Sequence, residues 1–148
     1  MGYTHPSREE IKAILQQAGT IAVVGLSDKP ERTSYMVSEA MQHKGYRIIP
    51  VNPAASGTIL GETCYASLAD VPVPVDIVNV FRRSQHTPPI AEEAVRIGAK
   101  ALWLQLGVYS EEAAQIARAG GLEVVMDRCI KVEDSLLLPQ GKTSPELG

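Results

Sequence analysis

At 148 residues the chain is long enough for one buried core and too short for a catalytic domain beside a separate binding domain. Its 45% hydrophobic and 21% charged residues match ordinary globular usage, which excludes disordered and fibrous classes. A net charge of -3 argues against a protein that wraps nucleic acid, and no apolar stretch approaches the roughly 18 residues of a membrane-spanning helix, so a soluble cytoplasmic protein with no nucleic-acid or membrane partner is expected.

Ser7 followed three residues later by Glu10 is a capping-box pattern, and it opens an amphipathic helix through Ile11, Ile14, Leu15 and Ala18 that stops at Gly19. The run TIAVVGL, residues 20–26, is continuously apolar, as expected of a parallel strand covered on both faces. Helical spacing returns over SYMVSEAMQHKG, residues 34–45, with a glycine stop. Residues 46–53 form a second predicted strand, 75–82 a third, 99–107 a fourth and 122–129 a fifth. Helical patterns at 88–97 and 110–119 separate the last three. The loop 54–74 holds Gly57, Gly61, Pro72 and Pro74, and only YASLADV offers a short helix there. The tail, 139–148, is expected to fray.

Strands alternating with helices predict one α/β domain over residues 1–148: a Rossmann-like, three-layer, five-stranded parallel sheet with helices on both faces. Strand order 3-2-1-4-5 is the first choice and the flavodoxin-like 2-1-3-4-5 the alternative. Both orders place a ligand outside the carboxyl ends of the strands, at the switch point. A homodimer is compatible with a small open sheet, although no residue argues for one.

Cations collect at that edge although the chain is acidic. Lys29 and Arg32 follow the first strand, Arg82 and Arg83 the third, and Arg128 and Lys131 the fifth. Solvated loop charges are the ordinary fate of such residues, but Lys29, Arg32 and Arg82 lie on separate loops that the sheet brings together. The turn GLSDKPERTSY keeps one glycine, Gly25, where a dinucleotide fingerprint has three. Backbone amides at the helix start near Ser34 and Tyr35 can still point at an anion, with Lys29 and Arg32 supplying charge. After the second strand stand Asn52 and Pro53, where an NAD site usually has the carboxylate that binds the ribose hydroxyls. NAD is thereby disfavoured, and a ligand carrying an adenosine phosphate fits.

Four ordered stretches, VVGLSDKPERTSY, IIPVNP, VDIVNVFRRSQHTPPIAEEAVRIGAKALWLQLGV and GLEVVMDRCIKVE, together resemble the small stand-alone CoA-binding proteins. These are similar to the CoA-binding N-terminal domain of the succinyl-CoA synthetase alpha subunit. The resemblance runs from about the first helix to Leu137 and implies a Rossmann-like fold that binds coenzyme A, or an acyl-CoA, at the strand ends. It implies that Gly25, Leu26 and Ser27, with Ser34 and Tyr35, face the diphosphate while Arg32 pairs with a phosphate. Asn52 and Pro53 would border the adenosine, and Phe81 and Arg82 the nucleotide and the start of the pantetheine arm. Gln105, Leu106 and Gly107 would lie along the arm. The missing glycines shift phosphate contact toward Lys29 and Arg32, and with no second half carrying a phosphorylated histidine, ligase activity is not expected.

Other candidates carry less. His5, His43 and His86 have no metal-ligand spacing, and a triad of Ser27, His86 and Asp127 lacks the G-x-S-x-G elbow. Trp103, Leu104 and Leu106 read as core strand residues, and Asp76 and Asp127 as turn or strand-edge partners of arginines. Cys129 ends the fifth strand on the ligand edge between Arg128 and Lys131, where cations favour the thiolate, so it is a candidate partner for the thiol of CoA; Cys64 is assigned no role. The expected function is a non-catalytic CoA-binding carrier, sensor or regulatory module. An NAD(P)-linked oxidoreductase-like protein and an interaction domain with a relic pocket are the rivals.

Overall fold

A computed structural model describes residues 2–141; the end of the tail, 142–148, lies outside the described residues. Helix α1 (Arg8–Gln17) opens on the expected capping box: the Ser7 hydroxyl accepts from the Glu10 N–H, and the Glu10 carboxylate from the Ser7 N–H. Strand β1 (Thr20–Val24), helix α2 (Thr33–His43) and strand β2 (Arg47–Val51) follow. The loop beyond holds a small antiparallel hairpin, β3 (Thr58–Ile59) with β4 (Glu62–Thr63), and one 3-10 turn at Leu68–Asp70. Then come β5 (Ile77–Val80), α3 (Thr87–Arg96), β6 (Ala101–Leu104), α4 (Glu111–Ala119), β7 (Glu123–Val125) and α5 (Ile130–Leu137).

The five main strands are parallel and lie in the order β2-β1-β5-β6-β7. Counting main strands only, this is 2-1-3-4-5, so the α/β parallel-sheet class holds and the first-choice order 3-2-1-4-5 does not. The reason lies on the outer edge of β2, where an order of 3-2-1-4-5 needs a third strand. Only a single bridge, Val51 with Tyr65, forms there. The chain then recrosses β1 by way of Leu68, Val71 and Val73, and the next strand pairs with β1 on its other side. Loop 54–74, broken by glycines and prolines, cannot supply that edge strand.

Side chains on each strand alternate between two cores. Ala22, Val24, Val78, Val80, Leu102 and Leu104 pack under α3 and α4, whereas Ile21, Val23, Ile48, Ile77 and Trp103 pack under α1, α2 and α5. Burial on both faces is why these strands read as unbroken apolar runs. Each Val, Leu or Ile among them contributes about 1.5–3 kcal/mol when fully buried. Trp103 and Leu104 are core, as expected, whereas Leu106, read with them as a core strand residue, lies beyond β6 and is exposed; the Trp103 indole N–H donates to the Arg128 carbonyl at 2.9 Å.

The expectation for the two aspartates is corrected. Asp76 accepts the backbone N–H groups of Gly19 and Thr20, and Asp127 accepts that of Gly107, so both hold backbone rather than arginines. An orphan N–H at a strand start or a glycine turn is a closer and less mobile donor than a long side chain.

Candidate functional site

The crossing-over of the chain puts the switch point between β1 and β5, and the residues after these strands meet there. Gly25 leaves β1 with φ +91°, and a Cβ on it would lie 2.6 Å from the Phe81 carbonyl oxygen and 3.0 Å from the Arg82 Cδ. Only glycine lets the end of β5 approach so closely. Its N–H donates to the Val51 carbonyl, which ties the turn to β2 as well. Beyond it the Ser27 N–H donates to the Ser34 hydroxyl and the Lys29 N–H to the Ser27 hydroxyl. A turn with Pro30 in second place closes from the Arg32 N–H to the Lys29 carbonyl.

Arg32 is the N-cap of α2, yet its side chain makes no capping bond, and the first turn carries no acidic residue. The positive end of the helix is therefore open to an external anion. Gly25, Ser27, Arg32, Thr33, Ser34 and Phe81 line a cleft of about 320 Å³ at this point. The ion pairs found among the described residues, Lys44 with Asp134 and Arg47 with Glu62, leave Lys29, Arg32, Arg82 and Arg83 without a carboxylate partner.

A second cleft, of about 390 Å³, shares Thr33 and Phe81 with the first and continues along Gln105, Leu106, Val108 and Cys129. Its character is different. Leu106 stands 68% exposed at its side, while Gln105 is only 5% exposed. The Gln105 amide is oriented by its oxygen, which accepts the Ile130 N–H at 3.0 Å and the Asn79 amide at 3.3 Å. Because Ile130 N–H can only donate, the Gln105 amide nitrogen is the group left for the cleft; no acceptor among the described residues takes it, and it is open to solvent there. The loop beyond is fixed by Gly107 N–H donating to Asp127 and Val108 N–H to the Gln105 carbonyl. Cys129 is the N-cap of α5, and its side chain is half-buried.

Of the residues singled out in the sequence, Gly25, Ser27, Arg32, Ser34, Phe81, Gln105, Leu106 and Cys129 line one or both clefts. Arg82 lays its stem over Gly25, beside the first cleft. Leu26 is fully buried core, and Tyr35 packs against the α1, α2 and α5 side. Lys29 and Pro53 are exposed. Asn52 acts as a brace, its amide N–H donating to the Leu26 carbonyl and its oxygen accepting from Ala54 N–H. Cys64 sits beside that brace, and burial pushes its thiol pKa up. Two lining residues were not foreseen, Thr33 and Val108. Thr33 begins α2 one residue before the start read from the sequence, and Val108 directly follows a glycine taken as the end of the arm path.

The paired clefts thus offer a cationic end with free helix N–H groups and a largely apolar end with one amide donor. Among curated proteins, the chain is 53% identical over 128 residues to the uncharacterised protein YneT of Bacillus subtilis, covering 86% of this chain and 94% of that one. It is 28% identical over 95 residues to acetate–CoA ligase (ADP-forming) II of Archaeoglobus fulgidus, a match to 63% of this chain and 14% of the ligase. Among solved structures, a hypothetical protein from Pyrococcus horikoshii OT3 superposes with a TM-score of 0.86 at 37% identity, over 93% of this chain and 99% of that one. The model of the CoA binding domain matches residues 19–135, and the chain belongs to that family.

Proposed function

We propose that this protein binds coenzyme A or an acyl-CoA across the two clefts and acts in the cytoplasm as a non-catalytic carrier, sensor or regulatory module. The observation that carries this reading is the junction of the clefts at Thr33 and Phe81. Coenzyme A is an adenosine diphosphate with a further ribose phosphate, joined to a long uncharged arm that ends in a thiol. A diphosphate suits the first cleft, where Arg32 and the first turn of α2 supply charge and N–H donors. The amide-bearing arm suits the second, where the Gln105 nitrogen awaits a carbonyl and Phe81, Leu106 and Val108 supply apolar contact.

NAD is the weaker fit, since the end of β2 presents no carboxylate for a ribose diol and Asn52 is engaged as a brace. Binding is favoured over catalysis because the described residues lining the clefts include no histidine or carboxylate to act as a base toward Ser27, Ser34 or Cys129.

Titration calorimetry with CoA, acetyl-CoA, NAD and NADP tests the reading, with CoA or acetyl-CoA expected to bind at micromolar affinity or better. Arg32→Ala is expected to weaken CoA binding by about 1.5–3 kcal/mol, the worth of a charge-assisted phosphate contact. Preference for NADP over CoA, or no binding by any of the four, overturns the proposal.

A further inference from the structure

Cys129 lines the second cleft together with Gln105, a largely buried residue whose amide nitrogen has no acceptor among the described residues. Gln105 is 95% removed from solvent, its oxygen is held by Ile130 N–H and Asn79, and its nitrogen faces the same cleft as the thiol. That nitrogen is not among the fully buried unsatisfied atoms, so solvent meets it through the cleft and a guest's carbonyl can take the place of water. The cleft is therefore built for a carbonyl-bearing guest lying beside a sulfur. Cys64 has neither feature. It donates weakly to the Asn52 carbonyl at 3.7 Å beside a structural brace, and burial raises its pKa and holds it as the thiol.

We infer that Cys129 is a thiol–disulfide exchange site for disulfides of coenzyme A, an inference that rests on the CoA-binding reading of the same clefts. The Cys129 thiol gives up its proton, and its sulfur attacks the CoA sulfur of a symmetrical CoA disulfide. The S–S bond of that disulfide breaks while the Cys129–S–S–CoA bond forms. The second CoA leaves as a thiolate with the electron pair and takes up the proton. One disulfide replaces another, so no external oxidant is needed, and any free thiol reverses the step. A module of this kind holds CoA covalently when the CoA pool is oxidised and returns it when thiols recover.

The test is intact-mass spectrometry of the reduced full chain after exposure to CoA disulfide or, in parallel, to oxidised glutathione, with calorimetry of the wild type against CoA on the same batch. Wild type and Cys64→Ser are expected to gain the mass of one CoA less two hydrogens, removable by dithiothreitol, and Cys129→Ser to gain none. CoA disulfide should react at least roughly tenfold faster than oxidised glutathione, because the nucleotide and arm hold the sulfur in place. Gln105→Leu should remove much of that advantage, and desulfo-CoA, which fills the clefts but carries no thiol, should slow the CoA disulfide reaction of the wild type. Equal rates for the two disulfides, or an adduct at Cys64, overturn the inference. No adduct on a wild type that binds CoA overturns it alone, whereas no adduct and no CoA binding overturn the binding reading as well.

Discussion

At Gly25 one residue decides whether two strand ends can meet. Its positive φ costs an L-residue about 1–2 kcal/mol, and a Cβ 2.6 Å from the Phe81 carbonyl oxygen would meet backbone, which cannot swing aside. Gly25→Ala is expected to lower unfolding stability by roughly 3 kcal/mol or more, read as a fall in the urea midpoint at unchanged slope. A loss under about 1 kcal/mol would mean that the β1 and β5 ends separate easily. The glycine itself was legible in the sequence because a lone glycine after an apolar run marks a turn. Its role was not, because the atom it spares belongs to Phe81, 56 residues later and just beyond β5. The same distinction separates Arg32 from Gln105. An unpaired cation beside a helix start is visible in the sequence, but the bond that turns the Gln105 amide nitrogen toward the cleft comes from Ile130, on another element.

Helix α5 shows why an element can escape sequence reading. Its buried stripe is Ile130 and Asp134, continued by Leu138 just beyond its end, so a carboxylate occupies the middle of an apolar i, i+4, i+8 row and hides the period. Asp134 is 0% exposed and accepts the Tyr46 hydroxyl at 2.6 Å, with the Lys44 ammonium 3.0 Å from its other oxygen. These bonds fasten α5 to the end of α2 and the start of β2, and α5 in turn places Ile130 N–H against Gln105. Burial first, and the Asp134 hydrogen bond and charge next, push the Tyr46 pKa well above the ordinary tyrosine value. The folded state therefore keeps this proton where the unfolded state loses it. The resulting stability is fully present below about pH 10 and is lost as pH rises beyond it. Urea unfolding from pH 8 to pH 11 should show stability falling along the upper half of this range, and less steeply in Tyr46→Phe. Some slope should remain in the variant, because Tyr3 and Tyr109 also have raised pKa values, from burial and from the Glu111 hydrogen bond respectively. Identical slopes in the two proteins would remove Tyr46 as a source.

For the whole molecule, the place expected for a ligand does not depend on which strand order holds. Orders 3-2-1-4-5 and 2-1-3-4-5 both reverse direction beside β1, so either one points to the candidate cleft after Gly25, whichever strand lies beyond β2. What the order does change is the edges, because an open parallel sheet leaves unpaired groups on its outer strands. At β2 the Tyr65 bridge and the Arg47–Glu62 pair to the hairpin cover part of the edge. At β7 the N-terminal arm does so, in a way that sequence patterns do not reveal. The Tyr3 hydroxyl accepts from the Met126 N–H at 3.0 Å and donates to the Val124 carbonyl at 3.3 Å, meeting the two groups that a further strand would bond. Arg118 lies over the Tyr3 ring at 4.9 Å, and His5 and Tyr109 meet it edge-on. Association of two copies through β7 thus requires the arm to leave. Tyr3→Ala is expected to increase self-association at high concentration in sedimentation velocity, while Tyr3→Phe, which keeps the ring over the edge but not the hydroxyl, should do so less. If both variants sediment as the wild type does, β7 is protected by its shortness and twist rather than by the arm, and a homodimer would have to form through another surface.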